Sequence, residues 1–324
     1  MKRSMMLGGL ALAGAGLAAR PARAADTCPI GPPPHVQGPS VYRNYDQVEL
    51  DAAYDQGAYA PLNAQQQARR DSNSALVRAR LGEPLTLAYG PTPVETVDIY
   101  RAKQPHAPIF VFVHGGAWRA GSAREFAVYA EPLVDAGITM VIPDFTNVIK
   151  AGGNLNVMAD QVQRAIAFAY THAASYGGDP QRFYVGGHSS GGHLCAVATV
   201  NDWRPLGLPP TFIKGAVFMS GMYDLTPVAL SSRRTYVNFD AATIEALSSA
   251  RHIDRLHAPI VVSHGTLETP EFQRQNQAFA AAVKAAGKPV ELIVAENYGH
   301  FDMEESLGNP YGPNGRAVLR MING

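Results

Sequence analysis

Two hydrophobic periods alternate along the chain, and the places where one gives way to the other predict the elements. Residues 109–113 are apolar without interruption, the pattern of a strand buried on both faces. Ahead of them, residues 85–89 and 94–100 alternate or carry β-branched side chains, which predicts two strands, antiparallel at a sheet edge. Beyond them strands and helices take turns. Residues 126–136 read as a helix, 138–142 as a strand, and 155–175 as a helix with apolar positions at Val162, Ala165, Ile166 and Ala169. Residues 183–186 are a strand that runs into a Gly-rich turn, and the small-residue pattern Leu194-Cys195-Ala196-Val197-Ala198 then predicts a helix. Residues 213–219, 259–263 and 290–294 are further strands, with a helix over 272–286 between the last two. Alternation at these lengths predicts an α/β fold, a mostly parallel central sheet flanked by helices.

Two stretches stand outside this rhythm. Residues 50–59 and 64–81 look helical, the second stopping at Gly82. They form a small N-terminal helical segment that either packs plainly, the favoured reading, or lies over the sheet as a lid. Residues 225–257 are polar, with Ser231-Ser232-Arg233-Arg234, and predict a cap excursion above the strand ends. Pocket walls are expected from residues 41–82 and 225–257. No internal repeat is found.

The first 24 residues do not belong to the fold. Lys2-Arg3 is a short basic start, residues 7–17 are apolar and small, and Ala22-Arg23-Ala24 is a small-x-small cleavage signal. Residues 1–24 therefore read as a signal peptide and the protein as exported, periplasmic or secreted. Lys2-Arg3 resembles a twin-arginine start without its first arginine, so the export route stays open. The apolar run is too short for stable membrane insertion. Residues 25–40, with Gly31-Pro32-Pro33-Pro34, are a Pro-rich leader, and residues 41–324 are read as a single domain. Lys and Arg number 27, as do Asp and Glu, with no long run of one sign, which argues against a nucleic-acid partner. Of the cysteines, Cys28 falls in the leader and Cys195 on a core helix, so separate thiols are favoured over a disulfide. Oligomeric state stays open.

In an open parallel sheet, ligands bind beyond the C-terminal strand ends, so the residues following each strand carry the candidate chemistry. They are His114-Gly115-Gly116-Ala117-Trp118, Gly187-His188-Ser189-Ser190-Gly191, His264-Gly265-Thr266-Leu267-Glu268 and Asn297-Tyr298-Gly299-His300. Ser189 has glycines at both −2 and +2, the pattern of a strained strand-to-helix turn that exposes a nucleophile, and Ser190 does not. The order Ser, acid, His is that of α/β hydrolases. Ser189 is the expected nucleophile, His300 its base, and Glu268 the acid that orients the imidazole. Backbone N–H groups of Gly116, Ala117 and Ser190 are the expected oxyanion hole. Asp302 and Glu271 are weaker rivals for the acid, and Asp224 reads as a loop brace. His114, His188, His193 and His264 read as packing or loop-fixing groups, with no metal site, since none shows the helix-spaced pairing of zinc enzymes. Trp118 is read as a substrate-binding wall of the acyl pocket, with core packing as its alternative.

Across residues 85–324 the chain resembles the α/β-hydrolase superfamily, and within it the arylformamidase (kynurenine formamidase)-like esterases. The likeness rests on His114-Gly115-Gly116-Ala117-Trp118, Gly187-His188-Ser189-Ser190-Gly191-Gly192-His193-Leu194, Glu268-Thr269-Pro270-Glu271-Phe272-Gln273-Arg274-Gln275 and Gly299-His300-Phe301. It implies hydrolysis of a small-molecule ester or N-formyl amide with no cofactor. Two features depart from the family: Glu268 stands where an Asp is common, and an export signal precedes a fold whose relatives act in intracellular tryptophan breakdown. The expected function is therefore an exported serine esterase or amidase acting on a small ester, aryl amide or N-formyl amide. N-formylkynurenine hydrolysis is the alternative, with a non-catalytic binding protein and a peptidase further behind.

Overall fold

The computed structural model describes residues 30–324; the signal-peptide residues and Cys28 lie outside the described residues. In chain order the elements are α1 (Gln47–Ala53), α2 (Asn63–Leu81), β1 (Leu85–Ala88), β2 (Thr96–Tyr100), β3 (Ala107–Val113), α3 (Ala130–Asp135), β4 (Thr139–Pro143), α4 (Leu155–Thr171), β5 (Gly178–His188) and α5 (Ser190–Thr199). They continue with β6 (Gly215–Met219), α6 (Leu225–Leu230), α7 (Ala241–Leu247), β7 (Ile260–Gly265), α8 (Pro270–Ala285), β8 (Val290–Ala295), α9 (His300–Glu305) and α10 (Pro313–Asn323). None of the described helices is long and apolar enough to cross a membrane.

The strands form one eight-stranded sheet in the order β1-β2-β4-β3-β5-β6-β7-β8. The β1–β2 and β2–β4 pairs are antiparallel and the rest parallel, as the edge alternation and the buried runs predict. From β3 the chain crosses to β4 on one side, and from β5 to β6 on the other. That reversal opens a crevice between the C-terminal ends of β3 and β5.

Alternate residues of β3 feed two cores. Ile109, Val111 and Val113 pack with Val162 of α4, Leu194 of α5 and Phe279 of α8. Phe110 and Phe112 face the other way, into Phe126, Leu133 of α3 and Val318 of α10. The sheet is thus covered on both faces, which is why its central strands read as unbroken apolar runs.

Three elements differ from the sequence reading for identifiable reasons. The first helix begins at Gln47 because Asp46 accepts from Glu49 N while Glu49 takes Asp46 N, a capping box; Gln56–Ala58 is then a separate 3-10 turn. The helix expected over 126–136 is instead a 3-10 segment, Ala123–Tyr129, followed by α3. Pro132 has no N–H to give Val128, so an unbroken α-helix across it would lose a bond. The strand before Ser189 extends back to Gly178, its start hidden in the sequence by Asp179, Gln181 and Arg182.

Phe112 is fully buried at the centre of β3, with its ring 5.6 Å from that of Tyr129 and 6.1 Å from that of Phe126. Phe112→Ala is expected to lower unfolding free energy by about 3–5 kcal/mol. Urea denaturation checks this, and a loss below about 1 kcal/mol would mean the site collapses around the missing ring.

Candidate active site

Ser189 stands at the reversal between β5 and α5 with φ 56° and ψ −123°, a conformation non-glycine residues rarely hold. The strain is maintained from both sides. Ser189 N donates to Met219 O at 2.9 Å, and Ser189 O accepts from His193 N at 3.0 Å. The flanking glycines allow the turn to close. A Cβ at Gly187 would lie 2.4 Å from Gly191 O, and one at Gly191 would lie 2.1 Å from Val113 O. The Ser189 hydroxyl consequently projects from the strand end into the crevice.

His300 reaches it from the start of α9, and the two residues are 111 positions apart. His300 Nε2 is 2.9 Å from Ser189 Oγ, and His300 Nδ1 is 2.7 Å from Glu268 Oε2. The other Glu268 oxygen accepts from Gly265 N and from Ser220 Oγ, each at 2.7 Å. Burial alone would raise the Glu268 carboxyl. The hydrogen bond and charge of His300, with the Gly265 and Ser220 donors, instead hold it below the usual carboxylate range, so it is ionised at neutral pH. Burial and the neighbouring His188 push the His300 imidazole below its ordinary value despite Glu268, so it is neutral there. A neutral imidazole on a serine hydroxyl, backed by a carboxylate, can accept a proton.

The loop after β3 faces this group. Gly116, Ala117 and Trp118 all have positive φ, at 120°, 54° and 64°. The backbone N–H groups of Gly116 and Ala117 find no acceptor among the described residues, and neither does that of Ser190 at the first turn of α5. Both Gly116 and Ala117 line the same cavity as Ser189 and His300, about 410 Å³ in volume. The three residues predicted to donate therefore lie around Ser189 with their donors free.

A second acid–imidazole pair lies beneath. His188, next to the serine in sequence, donates through Nε2 to His300 O at 3.0 Å, and its Nδ1 is 3.1 Å from Glu304 Oε1. Its ring centroid is 4.4 Å from that of His300. Burial would raise Glu304, but His188 and the Arg70 guanidinium, 3.6 Å away, keep it ionised. His188 thus ties the serine turn to the backbone of the histidine loop. Glu304 sits one helical turn after His300, so its spacing was visible in the sequence, although its partner was not.

Other candidates fall elsewhere. Asp302 accepts from Gly299 N and Gln66 and does not meet the imidazole, and Glu271 receives Tyr54 and Arg274. Asp224 caps α6 through Thr226 N, the brace expected of it. His114 is stacked between Phe126 and Phe145, and burial pushes it down to about 4. His193 donates to Leu247 O and accepts from Trp118 Nε1; burial lowers it to about 4 as well. His264 is buried against Gly265 O and Gln277. Cys195 is buried in α5.

Trp118 corrects the sequence reading. It is 1% exposed and does not line the cavity, because its indole packs on His193 one layer below. The Arg233 guanidinium covers it, 5.2 Å from the ring centroid. The preference for plain packing of the N-terminal helices is also revised: Tyr54, Gln56 and Arg70 from this segment wall the cavity together with Arg233 and Tyr236 from the 225–257 excursion. Sequence reasoning missed Ser220. It follows β6 directly, at a strand end, but Asp224 was the residue weighed there.

The BD-FAE family matches residues 97–206. A kynurenine formamidase from Danio rerio is 27% identical over 300 residues, covering 87% of this chain and 99% of its own. A kynurenine formamidase from Salmo salar is 30% identical over 235 residues, 69% of this chain and 76% of its own. A solved protein of Silicibacter sp. TM1040, provisionally described as a thioesterase, superposes with a TM-score of 0.71 at 26% identity, covering 85% of this chain and 99% of that one. Agreement at this level in sequence and in three dimensions exceeds a shared architecture, and the chain belongs to the arylformamidase-like α/β hydrolases.

Proposed function

We propose that the protein is an exported serine hydrolase that cleaves small carboxylic esters, or aryl or N-formyl amides. The observation that carries this reading is the unbroken path from Ser189 Oγ through His300 to Glu268, at 2.9 and 2.7 Å. The kynurenine formamidase relatives favour an N-formyl aryl amide within that class. Export rests on the pattern of residues 1–24.

In the proposed reaction, Ser189 Oγ attacks the substrate carbonyl while its proton passes to His300 Nε2. Glu268 stabilises the resulting imidazolium and holds the tautomer with Nδ1–H toward itself. The carbonyl oxygen becomes an oxyanion facing the N–H groups of Gly116, Ala117 and Ser190. One such donor is typically worth roughly 3–4 kcal/mol in the transition state. Collapse breaks the ester or amide bond, and the leaving oxygen or nitrogen takes the proton from His300. Water then repeats the sequence on the acyl-serine: His300 accepts its proton, the hydroxide adds, and the acid departs with Ser189 reprotonated.

Ser189→Ala is expected to lower kcat on para-nitrophenyl acetate by about 10³-fold or more and to abolish fluorophosphonate labelling. Wild-type turnover in that variant would defeat the proposal. The active form has His300 neutral, so activity is present above its pKa and lost as pH falls through it. Because that pKa is lowered, the acid limb of kcat/KM should have its midpoint below 6.5. A midpoint above that value would mean burial does not govern His300. Ser220→Ala should lower kcat by about tenfold, since Gly265 N still holds the same carboxylate oxygen, whereas Glu268→Gln should cost roughly 10³–10⁴-fold. Equal losses from the two substitutions, read by steady-state kinetics, would contradict this division of roles.

A further inference from the structure

The histidine base sits on a helix too short to hold its own place. α9 has 6 residues, His300–Glu305, and follows a turn in which Asn297 has a φ of 63°. So short a helix gains little from its own hydrogen bonds, and its position is set by what packs against it. Asn314 Nδ2 donates to Met303 O at 2.7 Å, and the N-terminal helix α2 supplies three further partners. Gln66, Arg69 and Arg70, spaced one turn along α2, meet Asp302, Glu305 and Glu304 of α9. The three pairs are not alike. Gln66 donates to Asp302 Oδ1 at 2.6 Å, and Arg69 takes Glu305 through two hydrogen bonds in an exposed position. Arg70 and Glu304 are both buried, with Nη1 3.6 Å from Oε2.

Only the buried pair leads on to the chemistry. Arg70 is fixed in place: Nε and Nη2 donate to Asp71 Oδ1, Nη2 donates to Glu125 Oε2 at 3.3 Å, and the guanidinium carbon is 4.2 Å from the Phe126 ring centroid. Beyond it, Glu304 Oε1 is 3.1 Å from His188 Nδ1, and His188 Nε2 donates to His300 O at 3.0 Å. A fixed cation, a carboxylate and an imidazole thus run from α2 to the backbone of the base. Three titratable groups act on the His300 ring: Glu268 from the loop after β7, His188 from β5 and Glu304 on its own helix. Asp302 and Glu305 are taken by Gln66 and Arg69 instead. Tyr129 and His114, further titratable groups that feel the Glu304 charge, stay neutral, because burial pushes the phenol well up and the imidazole down to about 4.

We infer that Arg70 is a positioning residue for the hydrolysis: through Glu304 and His188 it fixes the backbone of His300, so the N-terminal helix α2 sets where the base meets Ser189. The inference rests on the serine-hydrolase reading and deepens it. Arg70, Glu304 and His188 also line the cavity, and contact with substrate is the rival role. Kinetics separate the two. A displaced imidazole lowers kcat, whereas a lost substrate contact raises KM.

The test reads steady-state kinetics on para-nitrophenyl acetate and the rate of fluorophosphonate labelling. Arg70→Gln should lower kcat and the labelling rate together by about tenfold or more, with KM within about twofold, and Arg70→Lys should restore most of the loss. Arg69→Gln cuts the exposed pair between the same two helices and should leave both rates unchanged. His188→Gln keeps an N–H for His300 O and should hold kcat at the pH plateau within about threefold, whereas His188→Leu should lose about tenfold or more. That second comparison carries the test where Arg70→Gln fails to fold by circular dichroism. Because His188 pushes His300 down and activity needs the neutral imidazole, the acid limb of kcat/KM should move to higher pH in His188→Gln. Equal losses from Arg69→Gln and Arg70→Gln, a loss confined to KM, or equal kcat in the two His188 variants would overturn the positioning role and leave the hydrolase reading standing. An unaltered protein with no labelling and no turnover would remove the hydrolase reading, and the inference with it.

Discussion

The site depends on one backbone constraint, a serine held at positive φ between a buried strand and a buried helix. The turn exists because β5 is locked on both edges by β3 and β6, and because α5 must start at once to cover the sheet. Neither neighbour can move away, so Ser189 takes up the strain and its hydroxyl is directed into the crevice. The same geometry leaves Ser190 N–H unpaired at the helix start.

Around that turn the protein buries two carboxylates, Glu268 held by three hydrogen bonds and Glu304 within ion-pair distance of an imidazole and a guanidinium. Glu268 is held by His300, Gly265 N and Ser220; Glu304 is held by His188 and Arg70. A buried carboxylate left with one partner would be strongly destabilising, whereas one with three fixes the geometry of whatever it holds. His188 connects the two sets, bonding the backbone of His300 while preceding Ser189 in the chain. Serine and imidazole loops drawn from strands on either side of β6 and β7 are thereby held in register. Reactive geometry and local stability share the same bonds.

The cavity wall follows a different logic. It comes from the N-terminal helical segment and the excursion after β6, which meet where Arg233 donates to Tyr54 O and where Thr269, at the start of α8, donates to Ala53 O. These segments have few strand constraints, so their side chains are free to specify a substrate without disturbing the sheet.

The sequence by itself determined the sheet and the residue types at its strand ends, because strand period, glycine spacing and turn chemistry are local properties. Ser189, Glu268, His300 and the Gly116–Ala117 turn were legible for that reason: each directly follows, or lies within a few residues of, an apolar run. Boundaries were less legible where capping or Pro132 acted, since a side chain's choice of backbone partner is invisible in the period. Only the tertiary structure decided which groups meet. Ser220 and Glu268 are 48 positions apart, and His188 and His300 are 112 apart. It also decided depth: Trp118 adjoins the Gly116–Ala117 turn in sequence, but three successive positive φ values send it beneath Arg233, and the arginine lines the cavity in its place. Burial and facing depend on what packs against a residue, and that is set by chain segments far away in the sequence.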